Sequence, residues 1–289
     1  MKIADYHRHP AWSPTALKCA YTETMAVFNH RFGPGAAPFV PSDDMRKGSL
    51  VDAVLTPPFS IRETHKVIPE NAPKRPTSTQ LNAAKLSDDT KKAIEWWARF
   101  DEAAKGFDVI SQAWLANAEA IAQVLKTDPD IGPILAQIDA AASQVPHFWD
   151  DEASRSCRNL PDIITIDGCQ YDLKKTRCAK QKKFYWQAMA LGYDLQMAHL
   201  DLGFQDKYAH PPIERGIIAF EWEPPYDRSL LILSADDIAI GLEKREKAFR
   251  RITECQASGV WPSHGRQSFR PERASVEPLT IDPDSIDLF

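Results

Sequence analysis

The 289-residue sequence predicts a mixed α/β (α+β) fold, and three observations point that way. Two β-branched runs flank Asp167-Gly168 in the stretch from Pro161 to Lys175 (PDIITIDGCQYDLKK), and Asp-Gly between such runs signals a hairpin. Residues 216–222 and 229–233 are apolar runs of strand length, with Pro224, Pro225, Tyr226 and Asp227 supplying the turn between them. Helical spacing of apolar residues recurs elsewhere. It is clearest between Ser234 and Ser258, where Ile238, Ile240, Leu242, Phe249 and Ile252 form one stripe.

In chain order, Ser13-Pro14 is a helix start, and the apolar positions Ala16, Leu17, Ala20, Met25, Val27 and Phe28 carry one helix to Gly33. A Pro/Gly-rich loop follows over 33–44. Leu50, Val51, Val54 and Leu55 have helical spacing that Pro57 stops, with Asp52 a lone carboxylate inside the run. A strand is expected through Lys66, Val67 and Ile68, then a loop. From Ser87 the pattern turns helical as far as Leu125, with a further short helix over 130–143, so residues 87–143 read as a helical insertion. Trp96, Trp97 and Trp114 within it are core contacts. A strand around Phe148 leads into the hairpin, a basic loop covers 175–183, and a helix runs from Tyr193 to Leu202. Residues 1–265 form one domain, and 266–289 a Pro-rich, acidic, flexible tail.

Composition excludes several classes. A hydrophobic content of 43% supports a core, but no run approaches the roughly 18 apolar residues of a membrane span. The N-terminus lacks the apolar core of a signal peptide, so a soluble, cytoplasmic protein without a membrane partner is expected. Five scattered cysteines without a CxxC pair read as reduced thiols rather than a disulfide framework, a zinc site or an iron–sulfur site. The net charge is −5, yet Lys174 to Lys183 holds six basic residues and no acid. Such a strip can serve a phosphate backbone even on an acidic molecule.

The hairpin carries the candidate chemistry. Asp172 and Lys174 are two apart in a strand and share a face. Whether Asp162 joins them depends on register. A two-residue turn pairs Ile163 with Asp172 and sends Asp162 to the other face. One more loop residue, or a bulge, pairs Asp162 with Lys174 and Ile164 with Asp172, and the three then converge. Glycine is common at the left-handed position of a three-residue loop, which favours the second register. Two carboxylates suit Mg²⁺, and an ammonium beside them could position a water or stabilise negative charge.

The order of elements, with its D…DxK hairpin and the Gly192-Tyr193-x-x-Gln196 helix, resembles the PD-(D/E)xK nucleases. More narrowly, it resembles the RecE-type exonucleases (exodeoxyribonuclease VIII-like) of phages and prophages, distant relatives of lambda exonuclease. Four blocks carry the resemblance: Trp12 to Leu17, Lys47 to Phe59, Phe148 to Gln196, and Glu254 to Pro262. It implies a restriction-endonuclease-like core, a central mixed β-sheet flanked by helices. It implies that Asp162 and Asp172 ligate catalytic metal, with the Leu173 carbonyl as a further ligand, and that Lys174 assists the attacking water. Tyr193 and Gln196 would face the site and the DNA, while Lys175, Arg177 and Lys180 would hold the backbone. Two positions depart from the family. Asp52 stands where a histidine often completes the metal site, and Leu200 where tyrosine is favoured.

By this resemblance the protein is a Mg²⁺-dependent exodeoxyribonuclease, with Mn²⁺ able to substitute. It would digest linear double-stranded DNA 5′ to 3′ from its ends and leave single strands for phage-type recombination by annealing. A homo-oligomer and a single-strand annealing protein as partner are expected, in the cytoplasm of a bacterial host if the chain is phage-encoded. The alternatives are a catalytically impaired nuclease-fold protein that binds DNA or a partner, and a structure-specific endonuclease. The last five residues, Ser285 to Phe289, look like the peptide that docks replication sliding clamps.

Overall fold

A computed structural model describes residues 3–37, 39–56 and 61–265. The expected tail and the clamp-like peptide at Ser285 to Phe289 lie outside the described residues. Helix α1 (Ile3–Arg8) leads to α2 (Pro14–Thr22), whose first turn is capped by the Ser13 hydroxyl, and then to α3 (Met25–Phe32). The single helix expected to run up to Gly33 is thus broken. Thr24 adopts an extended backbone and its Oγ1 accepts the Val27 N–H, starting a second helix that the periodicity had masked. Helix α4 (Asp43–Leu55) begins at the Ser42 cap and carries Asp52 in its last turn.

Helix α5 (Ile61–Thr64) runs into strand β1 (His65–Ile68), followed by α6 (Ser78–Leu81) and α7 (Asp88–Ala103). The expected helical insertion contains a strand that helical spacing had absorbed. This is β2 (Asp108–Ser111), which pairs in parallel with β1 before Ser111 caps α8 (Gln112–Thr127). Helix α9 (Ile131–Ala136) is shorter than expected. On α7, Trp97 is buried and Trp96 stacks on Phe100, and Trp114 of α8 meets Trp222 edge-on, in keeping with structural roles. Strand β3 (His147–Asp150) pairs with β4 (Ser156–Asn159), a strand whose polar sequence gave no alternation to read.

The hairpin follows as β5 (Ile163–Ile164) and β6 (Gln170–Thr176). Its register is Ile163 opposite Tyr171 and Ile164 opposite Gln170, which corrects the expected pairing of Ile164 with Asp172. The loop does hold three residues, but they are Ile166, Asp167 and Gly168. Thr165 closes it by accepting the Cys169 N–H on Oγ1, and Gly168 takes the left-handed position at φ +86°. The shift from the expected register is even, so Asp162 keeps the parity of Asp172.

Residues expected to form only a basic loop continue into a helix, α10 (Gln181–Ala190), anchored by buried Phe184 and Ala188 one turn apart. Helix α11 (Tyr193–Tyr208) is longer than expected because it is buried on nearly every side, which removes the polar face that would mark its end. Strands β7 (Arg215–Glu221) and β8 (Arg228–Ile232) and helix α12 (Ala235–Ser258) complete the fold. The main sheet has the order β5-β6-β7-β8, with β6 and β7 parallel and the other pairs antiparallel.

Alternation along β6 divides the sheet. Tyr171 and Leu173, with Ile218 and Phe220 of β7, pack against Leu50 and Val51 of α4 and Ile121 and Leu125 of α8. Ile217 and Ala219, the register partners of Asp172 and Lys174, pack instead with Phe184, Met197 and Ala198 of α10 and α11. The candidate residues therefore lie on the α10–α11 side. Helix α12 presses closely on α11: a Cβ on Gly241 would sit 2.3 Å from the Asp194 carbonyl oxygen. Among the described residues no helix is long and apolar enough to cross a membrane.

Candidate active site

Asp172 is 4% exposed at the centre of the sheet, and both its oxygens are engaged. Lys174 forms an ion pair with Oδ2, and the Gln196 amide donates to Oδ1 at 2.7 Å. The two-residue spacing on β6 puts Asp172 and Lys174 side by side, and the first turns of α11 bring Gln196 down onto them. Burial works against the Lys174 charge, but Asp172 and Asp162 outweigh it and hold the ammonium above the usual lysine pKa.

Asp162 lies just before β5 and reaches across to β6, where its Oδ2 accepts the Leu173 backbone N–H at 2.9 Å. Asp52 arrives from α4. It is fastened by the Thr56 hydroxyl (2.8 Å to Oδ1) and the Gln144 amide (2.7 Å to Oδ2), and the same amide stands 3.4 Å from Asp162 Oδ1. Burial, with the charges of Asp172 and Asp52, pushes the Asp162 carboxyl well above its ordinary range. Burial and Asp172 raise Asp52 to about 6, against the hydrogen bonds from Thr56 and Gln144 and the charge of Lys174. The Asp172 charge makes both Asp52 and Asp162 harder to ionise, and Asp52 adds to the effect on Asp162, so the site behaves as one electrostatic unit.

Two members of this unit escaped the sequence reading. Gln144 is buried, with a left-handed backbone at φ 56°, and its N–H is held by the Pro161 carbonyl at 2.8 Å. Lys18 of α2 donates to Gln196 Oε1 at 3.0 Å, and its ammonium stands 4.8 Å from the centre of the Tyr193 ring, with Lys174 at 5.4 Å from the same ring. Burial, then the Lys174 charge, lowers Lys18 to about 8 against the pull of Asp172. Neither residue belongs to a spacing motif. For Lys18 the one available signal was a charged residue within the buried stripe of an apolar helix.

The remaining expected DNA contacts separate into two groups. Tyr193 and Gln196 adjoin Lys18 and Asp172. Lys175 has the opposite parity on β6 and pairs with Asp44 of α4 at 3.0 Å, away from the face that carries Lys174. Arg177 and Lys180 are exposed on the segment between β6 and α10.

This mixed sheet, with Asp162, Asp172 and Lys174 on one face, defines the restriction-endonuclease-like α+β architecture of the PD-(D/E)xK nuclease superfamily. The chain belongs to the family described as "PDDEXK-like domain of unknown function (DUF3799)", which it matches over residues 17–268. Its fold is also similar to the crystal structure of a protein from Eubacterium rectale described as a "Putative exonuclease". That likeness has a TM-score of 0.56 at 14% identity and covers 90% of this chain and 89% of the other. No curated protein is significantly similar in sequence.

Nucleases of this superfamily typically use divalent metals. Among the described residues no three carboxylate, imidazole or thiolate groups are gathered into a ready-made cage. The Gln144 and Gln196 amides and the Lys174 ammonium engage the carboxylate oxygens instead. The donor chemistry nevertheless fits a hard cation. Asp52, Asp162 and Asp172 offer only oxygen, and their mutual repulsion is what a divalent charge would relieve.

Proposed function

We propose that this protein is a metal-dependent DNA exonuclease. The observation that supports this most is the convergence of Asp162, Asp172 and Lys174 on one sheet face, with Asp52 tied to Asp162 through Gln144. Asp52, Asp162 and Asp172 would hold Mg²⁺ or Mn²⁺, with the Leu173 carbonyl available beside them. When bound, the metal supplies charge neutralisation on the phosphoryl group and a water of lowered pKa. Lys174, held charged by Asp172 and Asp162, orients the attacking water and offsets charge on the phosphate. Gln196 fixes Asp172 from above and is fixed in turn by Lys18. Tyr193 walls the site between the two ammonium groups.

In the manner of the RecE-type exonucleases that the sequence resembles, the substrate is the end of linear duplex DNA. It is degraded 5′ to 3′ to leave a single strand for an annealing partner. The test is digestion of linear duplex with Mg²⁺ beside a covalently closed circle. The reading expects loss of the linear DNA, an intact circle, and no activity in D172A or K174A with the fold unchanged. Undiminished digestion by both variants would sink it. Cutting of the circle would favour a structure-specific endonuclease. DNA binding without cleavage, and without metal binding lost in D162N, would favour an impaired nuclease-fold binding protein.

A further inference from the structure

The chain has eight tryptophans. Seven are buried or half-buried, whereas Trp186 on α10 is 63% exposed. Its surroundings are as distinctive. From Leu173 to Tyr193 there are six basic residues and no acid. Arg177, Lys180, Lys182 and Lys183 are all exposed, and beyond Lys174 the ion pair this stretch makes among the described residues is Lys175–Asp44. Lys182 and Lys183 precede Trp186 by four and three residues, which sets them beside it on the solvent side of α10, opposite buried Phe184 and Ala188.

The indole is also braced. The Tyr185 ring lies edge-on at 5.3 Å, and its hydroxyl donates to Asp237 of α12 at 3.2 Å. Helix α10 is tied to the site-bearing face of β6, since the Thr176 hydroxyl reaches Gln187 Oε1 at 3.5 Å and Thr176 shares parity with Asp172 and Lys174. A flat, braced aromatic among unpaired cations, on the helix that leaves the catalytic strand, is the composition of a stacking platform for a polyanion with exposed base faces. In a duplex those faces are covered by neighbouring pairs, so the matching ligand is unpaired.

We infer that α10 is a binding surface for single-stranded DNA, with Trp186 stacking on an unpaired base and Arg177, Lys180, Lys182 and Lys183 holding the flanking phosphates. The inference rests on the nuclease reading, because a strand separated at the site would pass over this helix.

The test is fluorescence anisotropy in EDTA, which prevents cleavage. It uses a labelled thymidine oligomer of about 16 nucleotides and a blunt duplex of equal length. W186A should bind the oligomer about ten-fold more weakly than wild type, with the duplex changed by less than about two-fold, and W186F should keep most of the affinity. Equal oligomer affinity for W186A and wild type overturns the inference, as does an equal loss on both DNAs or a W186F as weak as W186A. If wild type cuts linear duplex while W186A binds normally, this inference alone falls. If wild type binds neither DNA, the nuclease reading falls with it. Thermal melts of both variants, changed at an exposed position, verify the fold.

Discussion

The Leu173 backbone N–H is donated to the Asp162 carboxylate, at 2.9 Å. A donor that a longer β5 would have used for the sheet ladder instead holds Asp162 against β6, within reach of the Asp172 and Lys174 charges.

That arrangement sets stability against function. Asp162 has a folded pKa raised above its unfolded value, so between the two values the folded state holds more protons and stability falls as pH rises. At neutral pH, D162N removes this cost while its amide oxygen still accepts from Leu173. The variant should melt about 2 °C or more above wild type in metal-free buffer, and lose nuclease activity by roughly a thousand-fold or more. Added Mg²⁺ should raise the melting temperature of wild type and not of D162N. A lower melting temperature for D162N without metal would contradict the mutual repulsion.

Lys18 titrates where the reaction would be run. Burial and the Lys174 charge bring it to about 8, so kcat/KM of wild type should decline above that pH. K18M should lose activity about 10- to 100-fold across the range. K18R stays charged and should extend the plateau to higher pH, though with altered geometry. Superimposable alkaline limbs for wild type and K18R would remove Lys18 from the mechanism.

Gln144 serves two carboxylates with one amide. Q144E replaces that donor by a fourth acid and should lower the metal-free melting temperature by about 3 °C at neutral pH. The deficit should shrink on adding millimolar Mg²⁺ or Mn²⁺, because a cation offsets the added charge. A deficit that is unchanged by metal would show that the three aspartates do not share one ion.

His199 gives a pH test distant from the chemistry. Its Nδ1 accepts from Arg245 Nε at 3.2 Å, so the ring proton is on Nε2, which donates to the Arg158 carbonyl at 3.1 Å. Burial and the Arg245 charge lower its pKa to about 3. Between that value and about 6.5 for the unfolded chain, the unfolded state binds more protons, so stability is lost as pH falls. Wild type should lose up to about 1.4 kcal/mol per pH unit in this window relative to H199Q, read from denaturant unfolding at several pH values. Parallel pH profiles would show that His199 protonates freely in the fold.

What could be read from the sequence was local. Asp167-Gly168 announced the hairpin, Ser13-Pro14 fixed a helix start, and the spacing of Asp172 and Lys174 placed them on one face. What escaped was non-local or lacked contrast. β2 has four residues, and Val109 and Ile110 also fit a helical stripe. Lys180 stands at the N-cap of α10 and offers no side-chain cap, so the helix's lysines read as loop. Lys18 meets Gln196 across 178 residues of chain, and Gln144 meets Asp52 across 92. The hairpin partners differed from expectation because the Thr165 hydroxyl, invisible to a count of loop residues, decides where the loop closes.

The brevity of β5 has a wider consequence. It covers only Gln170 and Tyr171 of the β6 edge, while α4 packs across the sheet face, with Gly48 beside Lys175 and Asp52 beside Gln144. The third acid thus comes from a helix packed on the sheet, while Asp172 sits in the ladder and Asp162 is fastened to it through the Leu173 N–H. Evolution can change residue 52 without disturbing a single interstrand hydrogen bond. In the proposed metal site, exchanging Asp52 for the histidine that the resemblance places there would change one donor from oxygen to nitrogen, and with it the preferred metal.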